Sequence, residues 1–402
     1  MDDVPSLAEY AQQCRDWLAT QAGRRPPKAE LTWGQGDDAV ELFEETDPAA
    51  EVDEIAAVRA WRSRLWDAGY AWITGPVELG GAGLTRAHQQ AFDSAAREYA
   101  VPSNVKLMVS LGMVAPTILT HGTEGAKARY CAALQRGDLI ACQLFSEPGA
   151  GSALAGVSTQ AVRDGDGWRI TGQKVWTSGA QVSDIGEVLC RTRGEPRHRN
   201  LTMFVVDMRA PGVEVRPLRQ MTGGAAFNEV FLDDVWVPDD DRLGEVDDGW
   251  RVAVTTLSHE RATVGGEGYG GAGLLRPERY LQMLAVLGRQ DDPLARQAVA
   301  RLVTELRVAK LNGQRAAAAR QAGRAPGPEA SLGKIGLTRN YQRISALVGD
   351  LLGPRLLADT GEWGTFAWTS FVLGTPGVRI GGGTDEVLMN VLAERALGLP
   401  KG

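Results

Sequence analysis

In the stretch Cys142–Gly156, CQLFSEPGAGSALAG, a β-forming run ends in Ser-Glu-Pro and gives way to a loop of small residues. Its three glycines, with Ser146 and Ser152, would let main-chain amides and hydroxyls reach a flat, polar cofactor edge with no Cβ in the way. A tight surface turn would use the same residues. Further on, Lys174–Ala180 reads KVWTSGA, and strand periodicity puts Trp176 and Ser178 on one face. An indole there could cover a planar ring while the hydroxyl donates to a heteroatom of that ring. The alternative is a tryptophan of the core. A third stretch, RIGGGTDEVLMNVLAERALGLP at Arg379–Pro400, packs three glycines before a Thr-Asp-Glu helix start, where backbone must turn sharply or come close to something else.

Elements must position these stretches. From Ser6 to about Arg136 apolar residues recur at helical spacing, among them Leu42, Phe43, Ile55, Val58, Trp61, Leu65 and Trp66, with breaks at Gly75–Pro76 and Gly80–Gly83. The pattern predicts an all-helical segment. Near Leu139 it changes: Val162, Trp168, Ile170 and Val175, then Leu201–Asp207, Val213–Pro217 and Val230–Val237, form short alternating or β-branched runs separated by Gly, Asp and Asn. After Asp248 helical spacing returns, including the run Leu294–Gln321, which Gly323–Pro328 separates from the next helix. The expected plan is α, then β, then α, with domains at residues 1–138, 139–245 and 246–402.

The 402 residues, 44% of them hydrophobic, suffice for a substantial core and more than one domain. A net charge of −7 argues against a nucleic-acid binder, which needs a basic stripe. Four cysteines, at 14, 131, 142 and 190, have neither CxxC spacing nor the density of a disulfide framework, which points to packing roles in a reducing cytosol. The acidic start MDDVPSLAEY lacks the layout of a signal peptide, and no apolar run approaches the roughly 18 residues of a membrane span. A cytoplasmic protein that enters no membrane is expected. His88, His121, His198 and His259 lack metal-ligand spacing, so no metal is expected. Gly266–Gly271, GEGYGG, fits GxGxxG but has no βαβ unit around it, and close helix packing is the better reading.

Inside a β domain between helical ones, the first two stretches together resemble the flavin-binding signatures of the acyl-CoA dehydrogenase family. The resemblance continues in order through ELGGAGLT at Glu78–Thr85, HGTEGAKARY at His121–Tyr130, FLDDVWVP at Phe231–Pro238, SHERA at Ser258–Ala262 and GTDEVLMNVLAERALGLP at the C-terminus, nearly the whole chain. It implies an α+β fold with a helical N-terminal domain, a central β-barrel or sandwich and a C-terminal helical bundle, with FAD held between the last two and across a subunit contact. It also implies α,β-dehydrogenation of an acyl-CoA thioester: a carboxylate takes the α-proton, hydride leaves the β-carbon for flavin N5, and electrons pass to an electron-transfer flavoprotein or similar acceptor. By matching position, Phe145, Ser146, Gly151, Ser152, Trp176, Ser178, Arg289, Thr384 and Glu386 fall to the cofactor, and Ser152, Arg261 and Gly382 to the substrate.

Departures from the family pattern narrow the reading. Many members carry the base in Tyr-Glu-Gly-Thr, whereas this chain has Gly381-Gly382-Gly383-Thr384, so the usual base position is Gly382. Its N–H survives to polarise a thioester carbonyl, and the extra room would suit a branched or bulky acyl group. Another branch of the family carries its base on an early helix of the C-terminal domain, just before an arginine, and Glu260-Arg261 stands there. Burial beside an apolar acyl chain would raise such a carboxyl toward a useful pKa, although a salt-bridged surface glutamate would look the same in sequence. The Arg-x-x-Phe-Gly stretch whose arginine reaches a neighbouring subunit's FAD pyrophosphate is absent; GRQDDPLARQ at Gly288–Gln297 offers only Arg289. The later glycine-rich turn is reduced to LLGPRLL around Gly353, and Ala153 replaces an aspartate. These gaps imply an atypical FAD half-site, in a homo-oligomer or in a heterotetramer with a second family subunit. Two alternatives stay open: a dehydrogenase acting on an acyl carrier protein thioester, and a base-deficient structural subunit.

Overall fold

Ser6 opens the first helix: its hydroxyl accepts from the Glu9 amide while the Glu9 carboxylate accepts from the Ser6 amide, satisfying two donors that the helix start leaves orphaned. The helix, α1 (Leu7–Gln21), then buries Tyr10, Cys14 and Leu18 at four-residue spacing. The computed structural model describes residues 5–26, 31–43, 47–195, 198–264, 273–321, 327–328 and 331–401. In it α2 (Pro48–Asp67), α3 (Arg86–Ala96), α4 (Ala115–His121) and α5 (Glu124–Arg136) follow α1, and Trp61, Leu65, Phe92 and Tyr99 share its core.

Eight strands come next: β1 (Ala141–Leu144), β2 (Gln160–Asp164), β3 (Gly167–Ser178), β4 (Ile185–Arg191), β5 (Leu201–Asp207), β6 (Val213–Leu218), β7 (Phe227–Pro238) and β8 (Arg242–Leu243). They form one sheet in the order β6-β7-β3-β2-β4-β5-β8, with β1 parallel to β4. Strands β4 and β5 pair antiparallel and are buried on both faces, which is why they read as continuous apolar runs. Ile185, Leu189, Leu201, Met203 and Val205 meet Ile118, Leu134 and Val252 of α4, α5 and α6 (Gly249–Val264). On the other side Val188, Cys190, Phe204 and Val206 pack with Trp168, Ile170 and Leu232.

The last helices are α7 (Pro277–Val286), α8 (Pro293–Gln321), α9 (Ser331–Leu352), α10 (Trp368–Ile380) and α11 (Asp385–Val391), around a core of Tyr280, Met283, Leu302, Tyr341, Ile344, Trp368 and Phe371. The chain divides into one compact unit of Met1–Lys28, Thr46–Leu218 and Phe227–His259 and another of Ala29–Glu45, Arg219–Ala226 and Glu260–Gly402. The boundary falls inside α6.

The expected order of helical, β and helical segments is the one the chain adopts, with one local correction. Leu42 and Phe43 are not helical: residues 31–43 run as turns and irregular chain, with Gly34 at φ +83° and Gly36 at +76°, which no right-handed helix contains. Val40, Leu42 and Phe43 pack into the second core instead, and the segment is tied by Trp363 Nε1–H donated to the Gly36 carbonyl and by the Gly364 amide donated to Asp38. Gly266–Gly271 and most of Gly323–Pro328 lie outside the described residues. Among those described, all four cysteines are buried and unbridged, and no helix is long and apolar enough to cross a membrane.

Candidate active site

The loop after β1 is wrapped around a buried ion pair. Lys174 on β3 is fully buried, and its Nζ donates to Glu147 Oε1 at 2.8 Å, the Leu189 carbonyl at 2.7 Å and the Phe145 carbonyl at 3.2 Å. Glu147 in turn accepts from the Ser158 amide at 2.6 Å, the Ser158 hydroxyl at 2.7 Å and the Thr159 amide at 2.9 Å. One carboxylate thus pins both ends of the loop. Burial alone would raise the Glu147 carboxyl, but the adjoining Lys174 ammonium and the hydrogen bonds it receives hold it down at about 2. Within the loop, Glu147 and Ala150 exchange backbone hydrogen bonds at 3.0 Å, so the tight turn that the composition allowed is present. That turn does not account for Gly149 and Gly151. Neither has positive φ, and a Cβ on either would meet no atom of the chain within 4 Å. Nothing in the chain's own packing calls for glycine at either position.

Trp176 sits on a β-bulge. Lys174 pairs with Val230 and Thr177 with Asn228, so three steps along β3 oppose two along β7. The extra residue reverses the alternation: Lys174 and Thr177 point inward, while Trp176 and Ser178 both face outward, the indole 56% exposed. Trp176 takes φ +62°, a conformation that bulky L-residues avoid at about 1–3 kcal/mol. The Val175 amide, next to it, donates to the Ser146 carbonyl at 2.9 Å, so the structure brings the serine loop and the tryptophan strand together. Phe227 meets the indole edge-on at 5.8 Å. The core reading of Trp176 is excluded. Phe145, by contrast, is 4% exposed and belongs to the core, leaving its carbonyl, already bonded to Lys174, as its contribution to the loop.

The glycine turn, in the second unit, has a similar clamp. Lys334 of α9 is buried and donates to the carbonyls of Arg379 at 3.1 Å and Gly383 at 2.8 Å, with Asp385 at 3.5 Å. Asp385, also buried, accepts from Thr338 at 2.8 Å and Arg379 at 3.0 Å. Gly382 and Gly383 have φ of +69° and +91°, so the backbone's handedness requires glycine at these two positions, whereas Gly381 is extended. Thr384 caps α11 by accepting from the Val387 amide at 3.2 Å, which leaves its O–H to donate elsewhere. Glu386 is exposed and lies 3.5 Å from Arg379.

Glu260 is half-buried on α6, and burial pulls the neighbouring Arg261 guanidinium down while Glu260 raises it and Arg395 lowers it further. Arg289 donates to Asp292, at 2.9 Å from Nε, and Asp292 also accepts from the Leu294 and Ala295 amides at the start of α8. Ser152 and Gly151 are exposed. Glu147, Lys174, Lys334 and Asp385 escaped the sequence reading, though Lys174 carried a signal: a charge at an inward position of a strand between Ile170 and Val175 demands a buried partner.

Three sequence profiles match this chain in order: Acyl-CoA dehydrogenase, N-terminal domain over residues 38–138, middle domain over 142–235 and C-terminal domain over 247–397. The chain belongs to the acyl-CoA dehydrogenase family. It is 39% identical over 358 residues to the acyl-CoA dehydrogenase FadE34 of Mycobacterium tuberculosis, covering 88% of this chain but only 48% of that protein's length. Over 411 residues it is 36% identical to the acyl-CoA dehydrogenase IpdE1 of the same organism, covering 99% of each. The fold is similar to that of the Tcur3481-Tcur3483 steroid ACAD, with a TM-score of 0.72 at 25% identity over 100% of both chains. Members of the family are FAD-dependent oxidoreductases that dehydrogenate acyl-CoA thioesters.

Lys174→Met, by stranding the Glu147 charge, should cost about 3–5 kcal/mol in urea unfolding, and adding Glu147→Gln should recover part of that loss; full additivity would show that the two side chains do not act as a pair. Because the Glu147 carboxyl is depressed in the folded chain, its contribution is complete above pH about 4.5 and should fade as pH falls toward about 2. Acid titration of unfolding should show a shallower loss over this window in Glu147→Gln than in the wild type.

Proposed function

We propose that this chain oxidises the α,β carbon–carbon bond of a bulky or branched acyl-CoA, with Glu260 taking the α-proton. The observation that carries the reading is the outward, strained Trp176 beside a loop whose glycines face open space. A chain maintains such strain where function uses it. These residues fit a planar flavin: Trp176 offers a face, Ser146 and Ser178 offer hydroxyls, and Gly149 and Gly151 let main-chain amides approach closely. FAD, when bound, supplies the acceptor for the β-hydride. Thr384 and Glu386 would extend the cofactor contacts, and Ser152 and Arg261 would lie on the substrate side. The Gly382 amide would polarise the thioester carbonyl while Glu260, on α6, removes the proton.

Gly382 has no side chain to fill the acyl pocket, and a similar fold serves a steroid ACAD, which together favour a large acyl group. Arg289 is committed to Asp292, so the FAD pyrophosphate arginine would come from elsewhere. That supports assembly with an unlike family subunit, as the paired name Tcur3481-Tcur3483 suggests for that protein, and an electron-transfer flavoprotein or similar acceptor would take the electrons. The same two features favour a second reading, a structural subunit whose partner carries the base.

The colour of the chain purified alone, followed by anaerobic addition of acyl-CoA, decides between them. Flavin bleaching should slow about a hundredfold or more in Glu260→Gln with flavin content unchanged. A colourless chain that gains flavin only with a partner, and is indifferent to Glu260→Gln, supports the structural subunit. Trp176→Gly should relieve backbone strain and raise apoprotein stability by about 1 kcal/mol while weakening flavin retention. Unchanged retention would remove Trp176 from the cofactor site.

A further inference from the structure

Strand β4 carries a carboxyl where its neighbours are apolar. Glu187 lies on the same side as Ile185 and Leu189, toward α4 and α6, and is fully buried. Its Oε1 is 2.5 Å from Thr256 Oγ1 of α6; Thr256 Oγ1 is 3.0 Å from Thr117 Oγ1 of α4; and Thr117 donates to the Met113 carbonyl at 2.9 Å. Among the described residues, Oε2 receives no hydrogen bond and no cation pairs with the group. A lone carboxylate is costly in such a core, and burial pushes this carboxyl up to about 8. An ionised Glu187 could only accept from Thr256, leaving the Thr256–Thr117 contact without a proton; as a neutral acid its O–H can donate to Thr256, so that Thr256 donates to Thr117 and Thr117 to the Met113 carbonyl. Each hydroxyl donates once, and the run ends in the π-helical turn Ser110–Val114.

Thr256 is buried on the stripe of α6 that also carries Val252, and Glu260 continues that stripe one turn further on. A polar group anchored in an apolar core resists rotation of its helix, because turning it breaks hydrogen bonds that nothing nearby replaces. We propose that Glu187, as a neutral acid bonded to Thr256, is a positioning residue that sets the rotation of α6 and so the heading of Glu260. The inference rests on Glu260 being the base.

The test uses flavin-loaded Glu187→Gln, Glu187→Leu, Thr256→Val and Glu260→Gln, with anaerobic flavin reduction, flavin content and the infrared carbonyl band of a protonated carboxylic acid as readouts. Glu187→Gln should keep the wild-type rate, and Glu187→Leu and Thr256→Val should slow reduction about tenfold or more at unchanged flavin content. At pH 7 the wild type should show an acid carbonyl band that Glu187→Gln lacks. Absence of that band, or wild-type rates in Thr256→Val, overturns the positioning role. Should Glu187→Leu fail to fold, Thr256→Val decides. A wild-type rate in Glu260→Gln overturns the base assignment itself, whereas an inactive Glu260→Gln beside a fully active Thr256→Val overturns only the role of Glu187.

Discussion

A lysine held in the core by a carboxylate and backbone carbonyls is the interaction on which the candidate site depends. Lys174 satisfies all three of its protons on Glu147, Leu189 and Phe145, and Glu147 spends its own oxygens on the amides of Ser158 and Thr159. A long irregular loop normally remains at the surface because its backbone groups need water. Here the loop stays largely exposed while the buried ion pair grips its two ends, so a small-residue loop can be fixed without filling the space its glycines leave open. The second unit repeats the device, with Lys334 and Asp385 holding the glycine turn and the start of α11. Ion pairs this deep add little net stability over apolar packing, but each here is bonded to backbone from more than one segment of chain. Their value is geometric.

The bulge in β3 shows what that geometry presents at the surface. Regular pairing would send Trp176 inward with Lys174; one extra residue turns it outward and leaves its backbone in a conformation tryptophan rarely takes. The neighbouring Val175 amide is tied to Ser146, so the loop and the bulge brace each other. The exposed aromatic face is therefore a product of the bulge rather than an unburied remnant of the core.

The two usual places for an acid-base group differ in what the backbone permits. Gly382 lies in a left-handed turn, where a side chain would be strained, and Gly383 continues the same handedness. Glu260 lies on a long helix with ordinary geometry, beside an arginine whose guanidinium feels both burial and the glutamate. A carboxylate there can be aimed by helix rotation, a coarser but sturdier control than a glycine turn. The buried Glu187–Thr256–Thr117 run is the kind of contact able to set that rotation.

Composition, periodicity and motif order were enough for the α, β, α plan and for family membership, because these depend on local patterns that survive whatever the tertiary context. Trp176 and Ser178 were legible as sharing a face; which way that face looked was not, since a bulge is created by pairing with β7. Leu42 and Phe43 kept helical spacing yet joined another core, because Gly34 and Gly36 and contacts to residues distant in sequence outweighed a short periodic signal. Lys174 was legible as an inward charge, but its partner Glu147, and Glu187, Lys334 and Asp385, could be named only once the chain had folded. A charge is expensive or useful inside a protein according to what lies within about 3 Å of it, and that distance is set by residues far away along the chain.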